Sequence, residues 1–441
     1  MMMLTIKKVR CATMLASFSF LLLACGGSDK STNSAPVANA GSDKTYTVGS
    51  EVTLDGSKSY DANGDNLSFS WNWKAKPVSS NVAFDAITAK NPKFNPDVSG
   101  SYEIALMVND GSVNSDEDTL IITALNNGVD ITNAKFIRTD GDCNQYQGDY
   151  FANVMDIQRG LDFSSSVIIS PNSSDCQLQS NNIPNHDFND GSAHFHDEVA
   201  EQTQTFGLRG GSSFAASVTP LGLNITNGVF LNGVVLDLLA AACYGVGPDP
   251  LGNEKIGCGQ NEINNPWRYD PMSPLNRFGT DRHNAHTQPD GTYHYHGDPV
   301  AMYEEDCVAR GEVSPVIGFA ADGFPIFGPC ILDSNSGVIK KAKSSYRLKS
   351  GTRQAVSGYQ TPVSGQGVVG SNNYDGQFTG DWQYQGGSGD LDECNGATIN
   401  GQYGYYITDS YPWIMACFKS QVDASFTKVG PRLINRMHGH E

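Results

Sequence analysis

The chain has 441 residues, which is too long for one ordinary domain and long enough for two or three. Hydrophobic residues make up 39% and charged residues 17%, with 47 glycines and 20 prolines, a composition that indicates a loop-rich, mainly β protein rather than a helical array. The net charge of −18 would repel phosphate backbones and therefore argues against nucleic acid as a partner.

Residues 1–24 are predicted to be an export signal. A basic stretch at residues 7–10 precedes an apolar run at 14–23. This order is typical of a signal peptide, and the run is too short to cross a bilayer. Removal of its three basic residues would take the net charge from −18 to −21.

The end of this segment predicts a lipid anchor. Leu22-Leu23-Ala24-Cys25 resembles the lipobox of bacterial lipoproteins. The resemblance implies cleavage before Cys25, lipidation of that residue and a flexible tether over residues 25–34, and Gly26 favours sorting to the outer membrane. We therefore expect a lipoprotein of the bacterial cell envelope with the membrane as a partner. An ordinary signal peptide is the alternative.

Residues 35–125 are predicted to form an Ig-like β-sandwich. The stretch "SGSYEIALMVNDGSVNSDEDTLIIT" resembles a PKD domain, which implies a spacer or adhesion module. Asp61, Asn63 and Asp65 could hold a calcium ion, although acidic turn residues are the more common explanation. The strand-like runs are 45–48, 51–54, 67–73, 102–108 and 119–123.

Residues 129–441 are predicted to form a larger, disulfide-stapled, loop-rich β domain. Cysteine, aromatic residues, glycine and asparagine are all denser here. The run 236–242 fits a helix or a buried strand equally well, and 365–389 is expected to be a long loop. The strand-like runs are 166–169, 228–231, 292–296, 315–319 and 403–408.

Eight cysteines remain when the signal and Cys25 are set aside. In an oxidising compartment they indicate up to four disulfides, and we expect the sequence neighbours to pair. Each bond would contribute about 2–4 kcal/mol by constraining the unfolded chain. The absence of a Cys-x-x-Cys motif argues against a thiolate zinc site. The expected pairs are Cys143/Cys176, Cys243/Cys258, Cys307/Cys330 and Cys394/Cys417.

The nine histidines all follow residue 185 and include two His-x-His pairs, His194/His196 and His294/His296. Residues i and i+2 of a strand point to the same face, so each pair would present two imidazoles side by side. Such a pair is a good start for a copper, zinc or iron site.

The second pair has a candidate third ligand in His286. The intervening turn Gln288-Pro289-Asp290-Gly291 would return this residue as a hairpin neighbour. Tyr293 and Tyr295 would face the other way, to pack beneath the strand or to hydrogen-bond the outer shell of a metal site.

The stretches "NAHTQPDGTYHYHGDP" and "VIGFAADGFPIFGP" resemble the bacterial YHYH-domain family, and other motifs extend the match over residues 180–420. The resemblance implies a fold and a candidate site. His194, His196 and His283 fall outside the family's histidine positions and are weaker candidates. The residues on the family's histidine positions are His186, His286, His294 and His296, and those on its acidic positions are Asp281 and Asp322.

The leading hypothesis is a cell-envelope lipoprotein that binds copper or zinc through His286, His294 and His296, with His186 as a fourth member. Copper is slightly preferred because the compartment is oxidising and tyrosine lies adjacent. Metal-dependent hydrolysis or oxidation would need a general base, and Asp281, Asp322 and Glu198 are equal candidates.

Two alternatives stay open. One is a non-catalytic adhesion protein with structural histidines that contacts a glycan or another protein. The other is a metal-dependent enzyme acting on polysaccharide. Trp267, Trp382 and Trp413 would suit a sugar surface but are more commonly buried in β folds, and His438 and His440 suggest a flexible tail. The sequence contains neither a Gly-x-Ser-x-Gly nor a His-Glu-x-x-His motif, and it carries no indication of the oligomeric state.

Overall fold

The computed structural model describes residues 33–428 except 79, 126, 173–174, 210–212 and 334–335. The predicted export signal, the predicted lipidation residue Cys25 and the two C-terminal histidines therefore lie outside the described residues. Within the described part of the chain, no helix has the length and apolar character needed to cross a membrane.

The N-terminal part is the expected β-sandwich with a core of its own. Its strands are β1 (Lys44–Thr47), β2 (Val52–Thr53), β3 (Ser68–Ala75), β4 (Lys93–Phe94), β5 (Gly100–Asn109) and β6 (Asp118–Leu125). One sheet has the order β1-β6-β5-β3, and β2 pairs with β4. Alternate residues of β5, from Tyr102 to Val108, are fully buried, as expected for a strand with one face on a core.

A second, five-stranded sheet opens the larger domain. Its strands are β7 (Val129–Asp130), β8 (Gly148–Asp156), β9 (Leu161–Asn172), β10 (Asp175–Ser180) and β11 (Gln204–Leu208). They follow the order β11-β10-β9-β8-β7, antiparallel except for the parallel pair β7–β8. The buried residues of this sheet belong to the same hydrophobic core as those of the sheet that carries the histidines.

The main sheet has eight short strands in the order β15-β16-β14-β13-β17-β18-β24-β23. These are β13 (Gly228–Phe230), β14 (Val235–Leu236), β15 (Ala285–Thr287), β16 (Tyr293–Tyr295), β17 (Val316–Ala320), β18 (Pro325–Phe327), β23 (Gly396–Ile399) and β24 (Gln402–Tyr406). The pairs β14–β16 and β18–β24 are parallel, and the others are antiparallel. The central strands β13 and β17 are buried at every residue, as expected for a sheet covered on both faces.

Short ribbons and helices complete the larger domain. The remaining strands are β12 (Thr219–Pro220), β19 (Cys330–Leu332), β20 (Ile339–Lys341), β21 (Tyr346–Leu348), β22 (Trp382–Tyr384) and β25 (Cys417–Phe418). The α-helix is α1 (Cys307–Arg310), and the 3-10 helices are Cys143–Tyr146, Gln260–Glu262, Thr379–Asp381 and Ala424–Phe426. The mainly β fold class is therefore confirmed.

Two local predictions need correction. The run 236–242 is neither a helix nor a strand beyond β14, because its backbone is bound by side chains and by a neighbouring strand instead: Leu238 N donates to Asn227 Oδ1 at 2.8 Å, and Asp237 N donates to Tyr295 O at 2.9 Å. The expected loop 365–389 contains β22 and a 3-10 turn, since Leu348 and its neighbours in β21 pair with β22.

Four disulfides tie the loops of the larger domain together, and they join the sequence neighbours as expected. The loops that they close span 33, 15, 23 and 23 residues. The bonds are Cys143–Cys176, Cys243–Cys258, Cys307–Cys330 and Cys394–Cys417.

Candidate metal centre

A β-hairpin carries three histidines to one point. Strands β15 and β16 pair antiparallel, with His286 directly opposite His294. His296 lies two residues beyond His294 and therefore on the same face. The turn closes through Gln288, whose N–H donates to Thr292 O at 3.0 Å. Local strand alternation and a short turn are thus sufficient to bring the three imidazoles together.

The three rings meet through their Nε2 atoms. His296 Nε2 lies 3.2 Å from His294 Nε2 and 3.0 Å from His286 Nε2. One nitrogen from each ring lies within 4.8 Å of those of the other two. Nitrogen ligands at about 2.0–2.1 Å from a tetrahedral zinc ion lie about 3.4 Å apart, so the spacing is close to that of a ligated ion.

The far side of each ring is held by the backbone. His286 Nδ1 lies 2.5 Å from Phe278 O, and His294 Nδ1 lies 3.2 Å from Thr292 O. A carbonyl oxygen only accepts, so both Nδ1 atoms carry the proton and both neutral rings present an Nε2 lone pair to the shared point. A backbone carbonyl on the far nitrogen is also the arrangement that fixes histidine ligands in metal sites.

Burial keeps these rings neutral. His294 and His296 are each 3% exposed, and His286 is half-buried. Burial, with repulsion from His286, holds the pKa of both His294 and His296 well below the ordinary value. Burial also lowers the pKa of His286. Neutral imidazole is the form that binds a metal ion.

A carboxylate and an ammonium group lie beside the triad, and neither was predicted from the sequence. Asp237 directly follows β14, the parallel neighbour of β16, and its Oδ2 accepts hydrogen bonds from Gln288 Nε2 at 2.8 Å and from Lys428 Nζ. The charge of Lys428 contributes to lowering the pKa of His294 and His296. Asp237 ends the stretch "VFLNGVVLD", one of those that extend the resemblance to the YHYH-domain family, whereas no motif marks Lys428.

The two tyrosines of the motif face the other way, as expected from strand alternation. Tyr295 Oη lies 2.6 Å from His186 Nε2 and accepts from Asn232 Nδ2 at 3.0 Å. Tyr293 Oη donates to Asp281 Oδ2 at 2.9 Å. A buried polar network therefore lies beneath β16, separated from the triad by the strand itself.

This arrangement corrects the predicted ligand set. His186 is bound to Tyr295, so it lies on the face of β16 opposite the triad and is not a fourth member. His283 stacks on His186 with ring centroids 3.8 Å apart, and its Nδ1 lies 3.1 Å from Pro299 O. Burial, with repulsion from His283, lowers the pKa of His186 to about 3.

The first His-x-His pair does not form a site. The segment around His194 and His196 is not a strand, and the side chain that it buries is Phe195, at 8% exposure. The flanking histidines consequently point to solvent, and His196 Nδ1 contacts Asp197 Oδ2 at 2.9 Å.

The three candidate bases also lie elsewhere. Asp281 accepts from Tyr293 beneath the strand. Asp322 accepts from Tyr405 Oη at 2.7 Å and from two backbone N–H groups, which is a structural role. Glu198 is exposed and pairs with Arg159 at 2.9 Å. Each is placed by contacts that do not include the triad.

The residues considered for a calcium site and those considered for a sugar-binding surface differ in their contacts and burial. Asp61 Oδ1 accepts from the N–H groups of Asn63 and Asp65 at 2.7 and 3.2 Å, which is the bonding of a turn-stabilising residue. Trp267 is buried at 1% exposure. Trp382 and Trp413 are half-buried, and Trp413 lines a cavity.

The fold and the histidine cluster define a two-domain, mainly β, disulfide-bonded protein with a buried three-imidazole site. Residues 205–420 match the family model of the YHYH protein, and residues 33–124 match that of the PKD domain. The chain therefore carries a YHYH domain that follows a PKD domain, and this combination supports an extracellular surface protein. No curated protein matches the chain.

Solved structures resemble short parts of the chain. A nucleoside hydrolase-related hypothetical protein from Saccharophagus degradans is 23% identical over 21% of this chain and 26% of its own length, with a TM-score of 0.20. This chain thus spans about a quarter of that protein. The PKD domain of human KIAA0319 is 17% identical over 23% of this chain and 92% of its own length, with a TM-score of 0.19.

Proposed function

We propose that this extracellular protein binds a transition metal ion through His286, His294 and His296. The observation that supports the proposal is the meeting of three Nε2 atoms in a buried site, where His296 Nε2 lies 3.0 Å from that of His286 and 3.2 Å from that of His294. Three neutral rings cannot satisfy these contacts with protons, because two of the Nδ1 atoms already donate to carbonyls. A cation bound between the rings would instead accept the lone pairs of the three Nε2 atoms as ligands.

The ion is proposed to be zinc or copper. Imidazole nitrogen suits both metals, and three such ligands leave a fourth position open. The adjacent tyrosines no longer favour copper, because both rings lie on the other face of β16. A metal ion with an open position polarises water or a carbonyl group. The carboxylate of Asp237, directly after β14, is held in place by Gln288 and Lys428.

The same protein is proposed to be lipid-anchored at Cys25 in the bacterial cell envelope. Support comes from the signal-like N-terminus and the sequence Leu22-Leu23-Ala24-Cys25. Replacement Cys25→Ser should move the protein from the membrane fraction to the soluble fraction, and unchanged membrane association would contradict the anchor.

Metal analysis tests the central claim. Protein purified without added metal, and the same protein after incubation with Zn²⁺ or Cu²⁺ and desalting, should hold one ion per chain. His294→Ala removes one of three ligands and should weaken binding by at least about 100-fold, the upper end of the loss from outer-shell changes alone. The matched control is His194→Ala, an exposed histidine that should leave metal content unchanged.

Two results would contradict the proposal. One is the lack of stoichiometric metal in the wild type under all three conditions. The other is retention of the ion by a folded His294→Ala protein. Destabilisation of His294→Ala relative to a wild type that holds no metal would instead support structural histidines.

A further inference from the structure

A cavity of about 510 Å³ lies against the segment that follows β14. Its volume falls in the range of about 300–1,000 Å³ that small-molecule sites occupy. Leu238 and Leu239, directly after the Asp237 that borders the histidine triad, line the cavity, as do Tyr411, Pro412, Trp413, Met415 and Ala416. The cavity is distinct from the triad, because none of the three histidines lines it.

A buried carboxyl group faces this cavity. Asp270 is 2% exposed, and both of its oxygens lie 3.0 Å from Trp413 Nε1, which donates to them. Oδ1 also accepts from Met272 N at 3.0 Å. These partners are neutral N–H groups, and burial raises the pKa of Asp270 to about 7. The carboxyl group can therefore both accept and donate hydrogen bonds near neutral pH.

The backbone holds Trp413 in an unfavourable conformation beside this group. Its φ is +68°, in the left-handed region that bulky residues avoid. Two hydrogen bonds fix it there: Trp413 N donates to Ser410 O at 3.0 Å, and Thr408 N donates to Trp413 O at 2.8 Å. The strained backbone directs the indole nitrogen at Asp270 and leaves the half-buried ring at the cavity wall.

A cation lines the same cavity without pairing with the carboxyl group. Arg268 donates to the backbone carbonyls of Ala240, Cys258 and Glu262. With Arg268 and Asp270 together, the lining carries no large net charge, so it selects neither an anion nor a cation. Neutral groups that both donate and accept hydrogen bonds suit it, and the amides of Asn224 and Gln260 add two more such partners.

We propose that this cavity binds a neutral, hydroxyl-rich ligand of the saccharide class, which stacks on Trp413 and hydrogen-bonds to Asp270. Hydroxyl groups match the mixed donors and acceptors, and the aromatic face suits the apolar side of a sugar ring. Among the described residues that line the cavity, Asp270 is the only acid. Glycoside hydrolysis uses two carboxyl groups, so the inference is binding rather than cleavage.

Isothermal titration of the full-length, metal-loaded protein with maltose, cellobiose and N,N′-diacetylchitobiose tests the inference. At least one disaccharide should bind with a millimolar or lower dissociation constant. Asp270→Asn should weaken binding at least tenfold, because it replaces the acid with a group of different donors. Leu239→Trp should also weaken binding at least tenfold, because Leu239 is a half-buried residue of the cavity lining and the larger indole would fill the cavity. The contacts of Asp270 should stay intact in this variant.

The controls separate this cavity from the triad. His294→Ala should bind the disaccharide as the wild type does, and Asp270→Asn should keep its metal. If thermal melting shows that Asp270→Asn does not fold, the binding measurement on Leu239→Trp alone tests the proposal. The proposal is overturned if none of the three disaccharides binds, if Leu239→Trp binds as the wild type does, or if glucuronate or glucosamine binds more tightly than every disaccharide.

Discussion

His296 is the residue on which the chemistry of the triad depends. Its Nε2 contacts both other rings, at 3.0 and 3.2 Å, whereas their Nδ1 protons are already engaged by carbonyls. A proton on His296 Nε2 can serve only one of these neighbours, so a neutral triad keeps one contact between two lone pairs. An additional proton would make one ring a charged imidazolium, which burial disfavours. A single cation relieves both contacts at once.

The lowered pKa values predict that metal binding persists in mild acid. A metal ion requires neutral imidazole, and an ordinary histidine has a pKa near 6.5. Three ordinary ligands would lose about a thousandfold in affinity between pH 7.5 and 5.5 through proton competition. Because burial lowers all three pKa values, we expect the Zn²⁺ dissociation constant to rise by about tenfold or less.

Competition titrations with a chelator of known pH dependence measure this constant. His194→Ala serves as the reference, since its substitution lies outside the site. A loss near a thousandfold would show that the rings titrate as exposed histidines and that the buried triad is not the binding site.

At the scale of elements, the β15–β16 hairpin holds His286 and His294 within its strands and His296 directly after β16, and this arrangement depends on its turn. Gly291 has φ +84°, which favours glycine. A Cβ atom there would lie 2.6 Å from Ala200 Cβ and 2.9 Å from Ala200 N. The neighbouring segment closes on the turn, because Ala200 N donates to Gly291 O at 3.0 Å. Glycine is thus required twice, by the backbone conformation and by the packing.

Gly291→Ala should therefore lower both the free energy of unfolding and the Zn²⁺ affinity. The left-handed conformation alone costs a non-glycine residue about 1–2 kcal/mol, and the clash with backbone atoms of Ala200 adds to that, for a total of about 2 kcal/mol or more. Movement of the turn should displace His286 from His294. Urea unfolding and metal titration measure the two effects.

Gly160→Ala is the matched control. Gly160 also has a positive φ, +62°, and lies in the turn between β8 and β9, but no atom lies within 4 Å of the position that its Cβ would take. It should cost about 1–2 kcal/mol for the conformation alone and leave metal binding unchanged. Equal effects of both substitutions on Zn²⁺ affinity would contradict the role assigned to the turn.

The part of the site that was predictable from the sequence is the part built by local rules. His286, His294 and His296 come together through strand alternation and one short turn, both readable from the sequence. His186 instead contacts Tyr295 across 109 residues, so only the packing of its segment beneath β16 decides which face it joins. His194-Phe195-His196 has the same spacing as the second pair, but burial of Phe195 turns its histidines outward.

At the scale of the whole molecule, the described residues form one hydrophobic core in the sandwich and two in the larger domain. The sandwich core runs from Ala38 to Ala124, the main core of the larger domain begins at Ile131, and its smaller core surrounds Trp267 and Phe378. The composition and the strand-like runs indicated this mainly β organisation. The cavity, in contrast, joins Asp270 to Trp413 across 143 residues, so its existence depends on how distant loops pack.

The distribution of the disulfides separates these two parts in stability. All four bonds lie between Cys143 and Cys417, and the sandwich strands contain no cysteine. At about 3 kcal/mol each, their combined contribution is comparable to the whole free energy of unfolding of a domain, about 5–15 kcal/mol.

Reduction should therefore unfold the larger domain and spare the sandwich. Calorimetry of the full-length protein should show two transitions, and reduction of all four bonds with a phosphine should remove one of them, together with stoichiometric Zn²⁺ binding. The other transition should keep its midpoint, because the sandwich core around Trp71 and Tyr102 involves none of these bonds.

Trp71→Phe identifies the transition of the sandwich, since a substitution in the sandwich core should lower only the midpoint that survives reduction. A reductant that shifts both transitions together would show that the two domains unfold as one cooperative unit.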